Sequence, residues 1–179
     1  MPIILFTMSE IKKDANIKIG KVVSLHLHPP EKNDKMITVE SFYAVAGKGI
    51  TGQPPRYYGK VDRKGFPNKN HISLIQQEEI IEHALMSCVD SFPPGVVRSN
   101  IECTGIKLVD LIGYKVSIGK EVVVHFYRAR TPCKQMDDIC HGLQRLMKNK
   151  KQGVIAEIIK SGKICIGDEI VCNLLTDKI

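Results

Sequence analysis

Several features that define common protein classes are missing from this sequence of 179 residues. No apolar run reaches the ~18 residues that a membrane-spanning helix needs, so a membrane protein is not expected. The apolar start, Met1–Met8, has no basic lead and is followed directly by charged residues, which argues against a signal peptide. We therefore expect a cytoplasmic protein in which residues 1–15 form a flexible N-terminal segment and residues 16–179 a single domain.

Paired cysteines and nucleotide motifs are missing as well. None of the six cysteines belongs to a Cys-x-x-Cys pair, so free thiols in a reducing compartment are expected. A zinc site built from Cys133, Cys140 and His141 would lack the usual ligand spacing. The GxxxxGK[ST] phosphate loop and any flavin or iron–sulfur signature are absent. A redox reaction would therefore need electrons from another protein.

Acidic residues are outnumbered by basic ones, 19 to 26, which gives a net charge of +7. This balance favours anionic partners such as phosphate, a phosphorylated cofactor or nucleic acid, or it serves solubility alone. Cations and two tyrosines, Tyr57 and Tyr58, lie close together between Gln53 and Asn70, where prolines and glycines break regular structure. Long loops are often functional. Basic and aromatic residues together also suit single-stranded nucleic acid, so a nucleic-acid-binding module is one alternative.

The apolar patterning predicts a mainly β fold with a few helices. Strands are expected over Ile17–His28, Met36–Ala46 and Glu121–Tyr127. Two similar segments, Lys115–Val123 and Lys163–Val171, each predict a strand, a tight turn and a second strand. These units favour a closed or nearly closed β-barrel over a βαβ sheet.

Helical spacing appears at two places. Over Gln76–Ser87 an apolar face is predicted, with His83 on the solvent side. A second helix is predicted to begin at Asp137 or Asp138. The predicted apolar faces consist of Ile80, Ile81, Ala84 and Leu85 in the first helix and of Ile139, Leu143, Leu146 and Met147 in the second. On the first strand, His26 and His28 share one face, as a metal pair or as its solvated side.

Cys133 is the residue with the strongest chemical signal. It follows Pro132 at the end of the strongest strand, with Arg128 and Arg130 close in sequence. Cations near a thiol favour the thiolate, which is both a nucleophile and a soft-metal ligand. Three readings remain open on local pattern alone: a ligand or nucleophile, a Cys–His hydrolase with His125 or His141 as base and Asp138 orienting it, and a buried structural cysteine.

Two further segments could bind an anion. In Val96–Ile101, Arg98 and Asn100 are two residues apart, so an extended chain would project both to one side. Gly47–Gly52 contains three glycines and Lys48 and could cradle a phosphate with its N–H groups, or simply connect two strands.

The order of motifs along the chain resembles the MOSC domain, the C-terminal domain of molybdenum cofactor sulfurases, in its small stand-alone form. The resemblance covers nearly the whole chain, from about Lys18 to Val171. Gln53 departs from it, because the family's glycine loop usually ends in Gly-Asp. The motifs are Gly47–Gly52, His71–Gln76, Pro93–Gly95, Arg98–Ile101, Thr104–Ile106, Leu111–Gly113, Thr131–Cys133, Gly153–Val154 and Gly167–Asp168.

The resemblance implies a barrel-like fold and the molybdenum cofactor (molybdopterin), with no need for pyridoxal phosphate. It implies that Cys133 is the molybdenum ligand or a persulfide carrier, and that Arg98 and Asn100 lie at the cofactor. We extend the expected cofactor site to Ser99, Arg130 and Thr131. The expected activity is an oxidoreductase acting on small N-hydroxylated compounds such as hydroxylamino purines, supplied with electrons by a separate reductase. Sulfur transfer is the alternative.

Overall fold

The computed structural model describes residues 16–179, and the predicted flexible segment 1–15 lies outside the described residues. Three short α-helices accompany the strands in this part of the chain: α1 (Gln77–Met86), α2 (Gln135–Ile139) and α3 (Leu143–Leu146). The strands are β1 (Ile17–Leu27), β2 (Ile37–Val39), β3 (Ser41–Val45), β4 (Gly49–Ile50), β5 (Ile72–Gln76), β6 (Ile101–Thr104), β7 (Lys115–Ile118), β8 (Val122–Ala129), β9 (Val154–Lys160), β10 (Gly162–Cys165) and β11 (Glu169–Asn173).

Seven of the strands close into a barrel, as predicted. Their order around the barrel is β1-β11-β7-β8-β9-β5-β6, and β6 pairs again with β1. Neighbours are antiparallel except β5 and β6, which run parallel and are separated in sequence by α1. β2 extends the sheet beside β1, and a second sheet of β10, β3 and β4 packs beside the barrel.

Two apolar clusters hold the fold together. The larger fills the barrel with branched and aromatic side chains such as Leu25, Leu74, Val124 and Phe126. The smaller joins the helices to the barrel wall through Ile75, Ile80, Val97, Met136, Leu143 and Met147. Because β5 contributes Leu74 to the first cluster and Ile75 to the second, both of its faces are covered. No helix within residues 16–179 is long and apolar enough to cross a membrane.

The two similar strand–turn–strand segments are confirmed locally but differ in their pairing. β7 and β8 form an antiparallel hairpin. β10 instead pairs with β3, whereas β11 pairs with β1 and β7. The predicted strand Met36–Ala46 is likewise divided, because β2 joins β1 and β3 joins β10.

The predicted helix faces are only partly correct. His83 is fully buried, and its Nε2 lies 2.7 Å from the carbonyl oxygen of Lys151, so its prediction as a solvent-facing residue was wrong. Ile81 and Leu85 are instead exposed, at 58% and 71%. The second predicted helix divides into α2 and α3, because Gly142 between them has φ +85°.

Candidate active site

A cavity of about 240 Å³ lies against the outer face of the barrel wall. The strand register explains its position: Ser73 pairs with Ile155, and Ile155 with Arg128. Their sequence neighbours Leu74 and Val154 point into the core, so these side chains point outward. The cavity is lined by His28, Gln53, Tyr57, Asn70, His71, Ile72, Ser73, Arg98, Asn100, Arg128, Arg130, Cys133, Gln135 and Ile155.

The lining is cationic, and residues 16–179 contribute no carboxylate to it. Its three arginines donate hydrogen bonds to carbonyl, phenol and amide oxygens, and within residues 16–179 no ion pair links them to an Asp or Glu. For Arg98 the acceptors are the carbonyl oxygens of Lys32 and Asp34, and for Arg130 those of Val97 and Arg98. Burial lowers the pKa of Arg130 to about 10, which still leaves it charged at neutral pH. This charge is available to an anionic ligand.

Cys133 lies on the loop that leaves β8 and is the cavity's thiol. On the N-terminal side of Cys133, the Arg130 amide anchors the loop by donating to the Gly153 carbonyl oxygen at 2.9 Å. On the C-terminal side, the Met136 amide donates to the carbonyl oxygen of Cys133 at 3.1 Å. The thiol itself is exposed, with Sγ 3.7 Å from Gln135 Oε1. The reading of Cys133 as a buried structural cysteine is therefore wrong.

Arg98 and Asn100 both line the cavity, but not through alternation along a strand. Arg98 has φ +60°, so the chain turns there before β6 begins. The Asn100 side chain is saturated by the protein: Oδ1 accepts from Ser73, and Nδ2 donates to the His26 carbonyl oxygen at 3.1 Å. Asn100 therefore ties β1, β5 and the start of β6 together and supports the cavity wall.

The two remaining predicted site residues lie outside the cavity lining. Ser99 is fully buried, and its hydroxyl donates to the carbonyl oxygen of Ile101. Thr131 is exposed on the loop before Cys133. The structure thus brings Cys133, Arg98, Asn100 and Arg130 together and leaves Ser99 and Thr131 beside them.

Gln53, at the end of the glycine loop, is held by hydrogen bonds at the cavity wall. The loop itself was considered as a phosphate cradle, but three of its amides are occupied. Its Oε1 accepts the backbone N–H of His28 at 3.2 Å and the Asn100 amide at 3.4 Å. In the glycine loop, the amides of Gly47, Lys48 and Thr51 donate to backbone carbonyl oxygens. The loop's role is therefore to form the β3–β4 turn and to deliver Gln53.

Two buried histidines that line the cavity were not predicted as site residues. His28 was predicted on a solvated face, yet it is 8% exposed and its ring stacks on Tyr57 with centroids 3.8 Å apart. No group in the described part of the chain forms a hydrogen bond with its Nδ1. His71 is 4% exposed, and its Nδ1 accepts the Ile158 amide at 3.0 Å, which leaves the proton of the neutral ring on Nε2. Burial lowers the pKa of both.

The metal pair proposed for His26 and His28 is not formed. His26 lies in a separate buried network, with Nε2 3.0 Å from Ser24 Oγ and 3.7 Å from Glu102 Oε1. Glu102 also accepts the Gly95 amide at 2.7 Å, so this network fixes the turn before Arg98. Within residues 16–179, no three His, Cys, Asp or Glu side chains cluster as a metal site would require, which also removes the zinc reading.

A second cavity of about 370 Å³ adjoins the first. The two share Arg98 and Gln135 as lining residues. The rest of its lining is partly apolar and partly acidic. Apolar side chains come from Met36, Pro93 and Val96, and carboxylates from Asp34 and Asp138. A ligand held at Cys133 and the arginines could therefore extend into, or react with a molecule in, this neighbouring space.

The buried histidine predicts a measurable pH dependence of stability. Desolvation, reinforced by Arg98, Arg130 and Arg56, lowers the pKa of His28 from 6.5 to about 3. Below pH 6.5 the unfolded chain therefore binds a proton that the folded protein rejects, and acidification lowers the free energy of unfolding. Between pH 6.5 and about pH 5 the wild type should lose about 2 kcal/mol relative to His28→Phe.

His28→Phe is the matched comparison because it keeps an aromatic ring on Tyr57 but cannot titrate. Glu79, whose pKa is raised to about 7 mainly by burial, titrates in both proteins, so its effect cancels in the difference. Urea unfolding at a series of pH values gives the measurement. Parallel curves for the two proteins would show that His28 is not held neutral.

Comparison with known proteins gives consistent matches. A family model described as the MOSC domain matches residues 61–171, which include Cys133, Arg98 and Arg130. No curated protein matches the chain significantly.

Solved structures share the fold at low sequence identity. The crystal structure of the YUAD protein from Bacillus subtilis aligns with a TM-score of 0.73 and 18% identity, covering 87% of this chain and 96% of that one. YiiM from Geobacillus stearothermophilus gives a TM-score of 0.64 and 15% identity, over 86% of this chain and 74% of that one. YiiM from Escherichia coli gives 0.61 and 15%, over 85% and 69%.

Proposed function

Because this chain belongs to the MOSC domain family, we propose that it binds the molybdenum cofactor in the cavity at Cys133 and reduces N-hydroxylated compounds. The observation that carries the proposal is an exposed thiol in a cavity whose charged lining residues are all arginines. Thiolate is a soft ligand suited to a thiophilic metal, and guanidinium groups bind phosphate through paired hydrogen bonds. The residues present therefore fit a metal-bearing anion.

Each lining residue has a role that follows from its contacts. Arg98 and Arg130 would bind the phosphate, since within residues 16–179 neither guanidinium group forms an ion pair with a carboxylate. Cys133 would ligate the metal, on a loop fixed at Arg130 and Met136. When bound, the cofactor would supply the electron-accepting and electron-donating centre.

Reduction of an N-hydroxyl group takes up two electrons and two protons, breaks the N–O bond and releases water. Among the described residues, no carboxyl group lines the cavity to donate those protons. We assign the proton donation to His71, which lines the cavity and holds its proton on Nε2, together with water that reaches the exposed Cys133. Since the sequence has no flavin or iron–sulfur signature, a separate reductase would supply the electrons.

Cofactor retention tests the proposal. After reconstitution with isolated cofactor and gel filtration, the wild-type protein should retain molybdenum. Arg98→Gln removes a charged donor and should weaken retention by about tenfold or more, because hydrogen bonds to charged groups contribute about 1.5–3 kcal/mol. Molybdenum per protein is measured by elemental analysis.

Arg145→Gln is the matched control, since Arg145 is exposed on α3 and does not line the cavity. Equal retention by the Arg98 and Arg145 variants would remove Arg98 from the site. Absence of molybdenum from the wild type would overturn the proposed function as a whole.

Sulfur transfer is the second candidate, favoured by the exposure of the Cys133 thiol. A persulfide on Cys133 would place its outer sulfur in the same cationic cavity. Incubation with a cysteine desulfurase and cysteine should then give cyanide-releasable sulfur on the wild type, and none beyond background on Cys133→Ala. Sulfur release that is independent of Cys133 would remove this candidate.

A further inference from the structure

One basic segment singled out in the sequence lies outside the cavity chemistry. Residues 60–68 form a small ordered hairpin, hereafter the 60–68 hairpin. Val61 and Pro67 form an antiparallel bridge, and the Asn68 amide donates to the Lys60 carbonyl oxygen at 2.8 Å. At the tip, Asp62 Oδ1 accepts the amides of Lys64 at 2.8 Å and Phe66 at 3.0 Å. The hairpin therefore holds a defined shape.

This hairpin presents apolar side chains surrounded by cations. Val61 and Phe66 are 53% and 65% exposed. Lys60, Arg63 and Lys64 are exposed on the same short hairpin, and within residues 16–179 none of the three forms an ion pair. Asp62 is occupied by the hairpin's own amides. Three cations and one carboxylate leave the hairpin net positive, and an apolar centre with a net positive rim is typical of a surface that binds an acidic protein.

The position of the hairpin connects it to the cavity. It belongs to the segment between Tyr57 and Asn70, and both of these residues line the cavity. The ring of Tyr57 is stacked on His28 and is not free to stack on a nucleic-acid base. Binding of single strands relies on several free aromatic platforms. The exposed features therefore favour an acidic protein over nucleic acid.

We propose that the 60–68 hairpin is the docking surface for an acidic electron-transfer protein that supplies the reaction at Cys133. The delivery of electrons, though not the docking itself, rests on the proposed function. The partner carries a reduced flavin or iron–sulfur centre, which is oxidised as it delivers the two electrons that N–O cleavage consumes. Docking at the hairpin brings that centre to the edge of the cavity, because the hairpin emerges from the cavity wall.

Binding is measured first, since it does not depend on cofactor or catalysis. Flavodoxin and a ferredoxin serve as acidic probes in calorimetric titrations at low salt. The wild type should bind at least one of them, and Arg63→Glu/Lys64→Glu should weaken that binding by about tenfold or more. Phe66→Ser should also weaken it, without a change in thermal stability, because Phe66 is exposed.

The control is Lys115→Glu/Lys120→Glu, which changes the net charge equally at exposed positions on and after β7. An equal loss in both charge variants, or no binding of either probe by the wild type, would overturn the docking proposal. So would tighter binding of a thymidine oligonucleotide that the hairpin variants abolish, which would assign the surface to nucleic acid.

Kinetic measurements distinguish a failure of the docking surface from a failure of the proposed catalytic function. In reconstituted protein, the Arg63→Glu/Lys64→Glu variant should raise KM for the reduced protein donor about tenfold and leave the rate with a small chemical reductant unchanged. A wild type that lacks molybdenum but binds the acidic probes through the hairpin would overturn the catalytic proposal and retain the docking surface.

Discussion

Cys133→Ala is expected to retain less than about a tenth of the molybdenum bound by the wild type after reconstitution and gel filtration. The thiolate is the cavity's soft ligand, and the arginines can bind the rest of the anion without holding the metal. Reduction of an N-hydroxylated substrate should fall to background in the same sample. Elemental analysis and the spectrum of the bound cofactor provide two independent readings.

The variant should fold normally, because Cys133 is exposed and its side chain makes one long contact, to Gln135. Cys140→Ala is the control, since Cys140 follows α2 nearby in sequence but does not line the cavity. Full molybdenum retention by Cys133→Ala would show that the arginines alone hold the cofactor. Loss in both cysteine variants would point to a disturbed loop in place of a lost ligand.

Gly153→Ala should be among the most destabilising single substitutions in the protein, by about 4 kcal/mol. Gly153 has φ +75°, and a Cβ there would overlap the Leu74 carbonyl oxygen and lie 2.8 Å from Ile75 Cα. The backbone of β5 cannot move aside without breaking its pairing with β9. Because the Gly153 carbonyl oxygen also accepts the Arg130 amide, the Cys133 loop should lose its anchor.

Gly47→Ala separates the cost of the left-handed backbone from the cost of the steric overlap. Gly47 has a similar φ of +70°, but no atom of residues 16–179 beyond its chain neighbours lies within 4 Å of the added Cβ, so Gly47→Ala should cost only the strain of the left-handed backbone, about 1 kcal/mol. Chemical unfolding of both variants gives the comparison. If Gly153→Ala and Gly47→Ala lost similar amounts of stability, the backbone of β5 would have to shift to accommodate the methyl group at little cost. Close packing at Gly153 would then be unimportant.

Much of the barrel could be predicted from local pattern. Alternation and turn residues placed β1, β7 and β8 close to their observed bounds, because each of these strands buries one face in the core. Pairing between distant strands could not be read in the same way. β10 and β11 look like a hairpin in sequence, yet tertiary contacts with β3 and β1 decide their partners.

The sequence singled out three residues that line one cavity, but it gave no sign of the buried histidines beside them. Cys133, Arg98 and Arg130 carry their signal in residue type. His28 and His71 do not, since an outward-facing histidine normally meets water, and these two are buried only because the segments around Tyr57 and Arg98 cover the barrel wall. His26 was misread for a related reason: the turn at Gly95 covers its side of the strand, and its ring is buried against Ser24 and Glu102.

The barrel has an odd number of strands, seven, and this number constrains their directions. A closed ring with an odd number of members cannot alternate in direction throughout, so one neighbouring pair must share a direction, and here it is β5 and β6. The chain segments that enter these two strands consequently arrive side by side. One carries His71 and the other carries Arg98 and Asn100, and both line the same cavity. An even-numbered ring that alternated throughout would have sent one of these segments to the opposite rim.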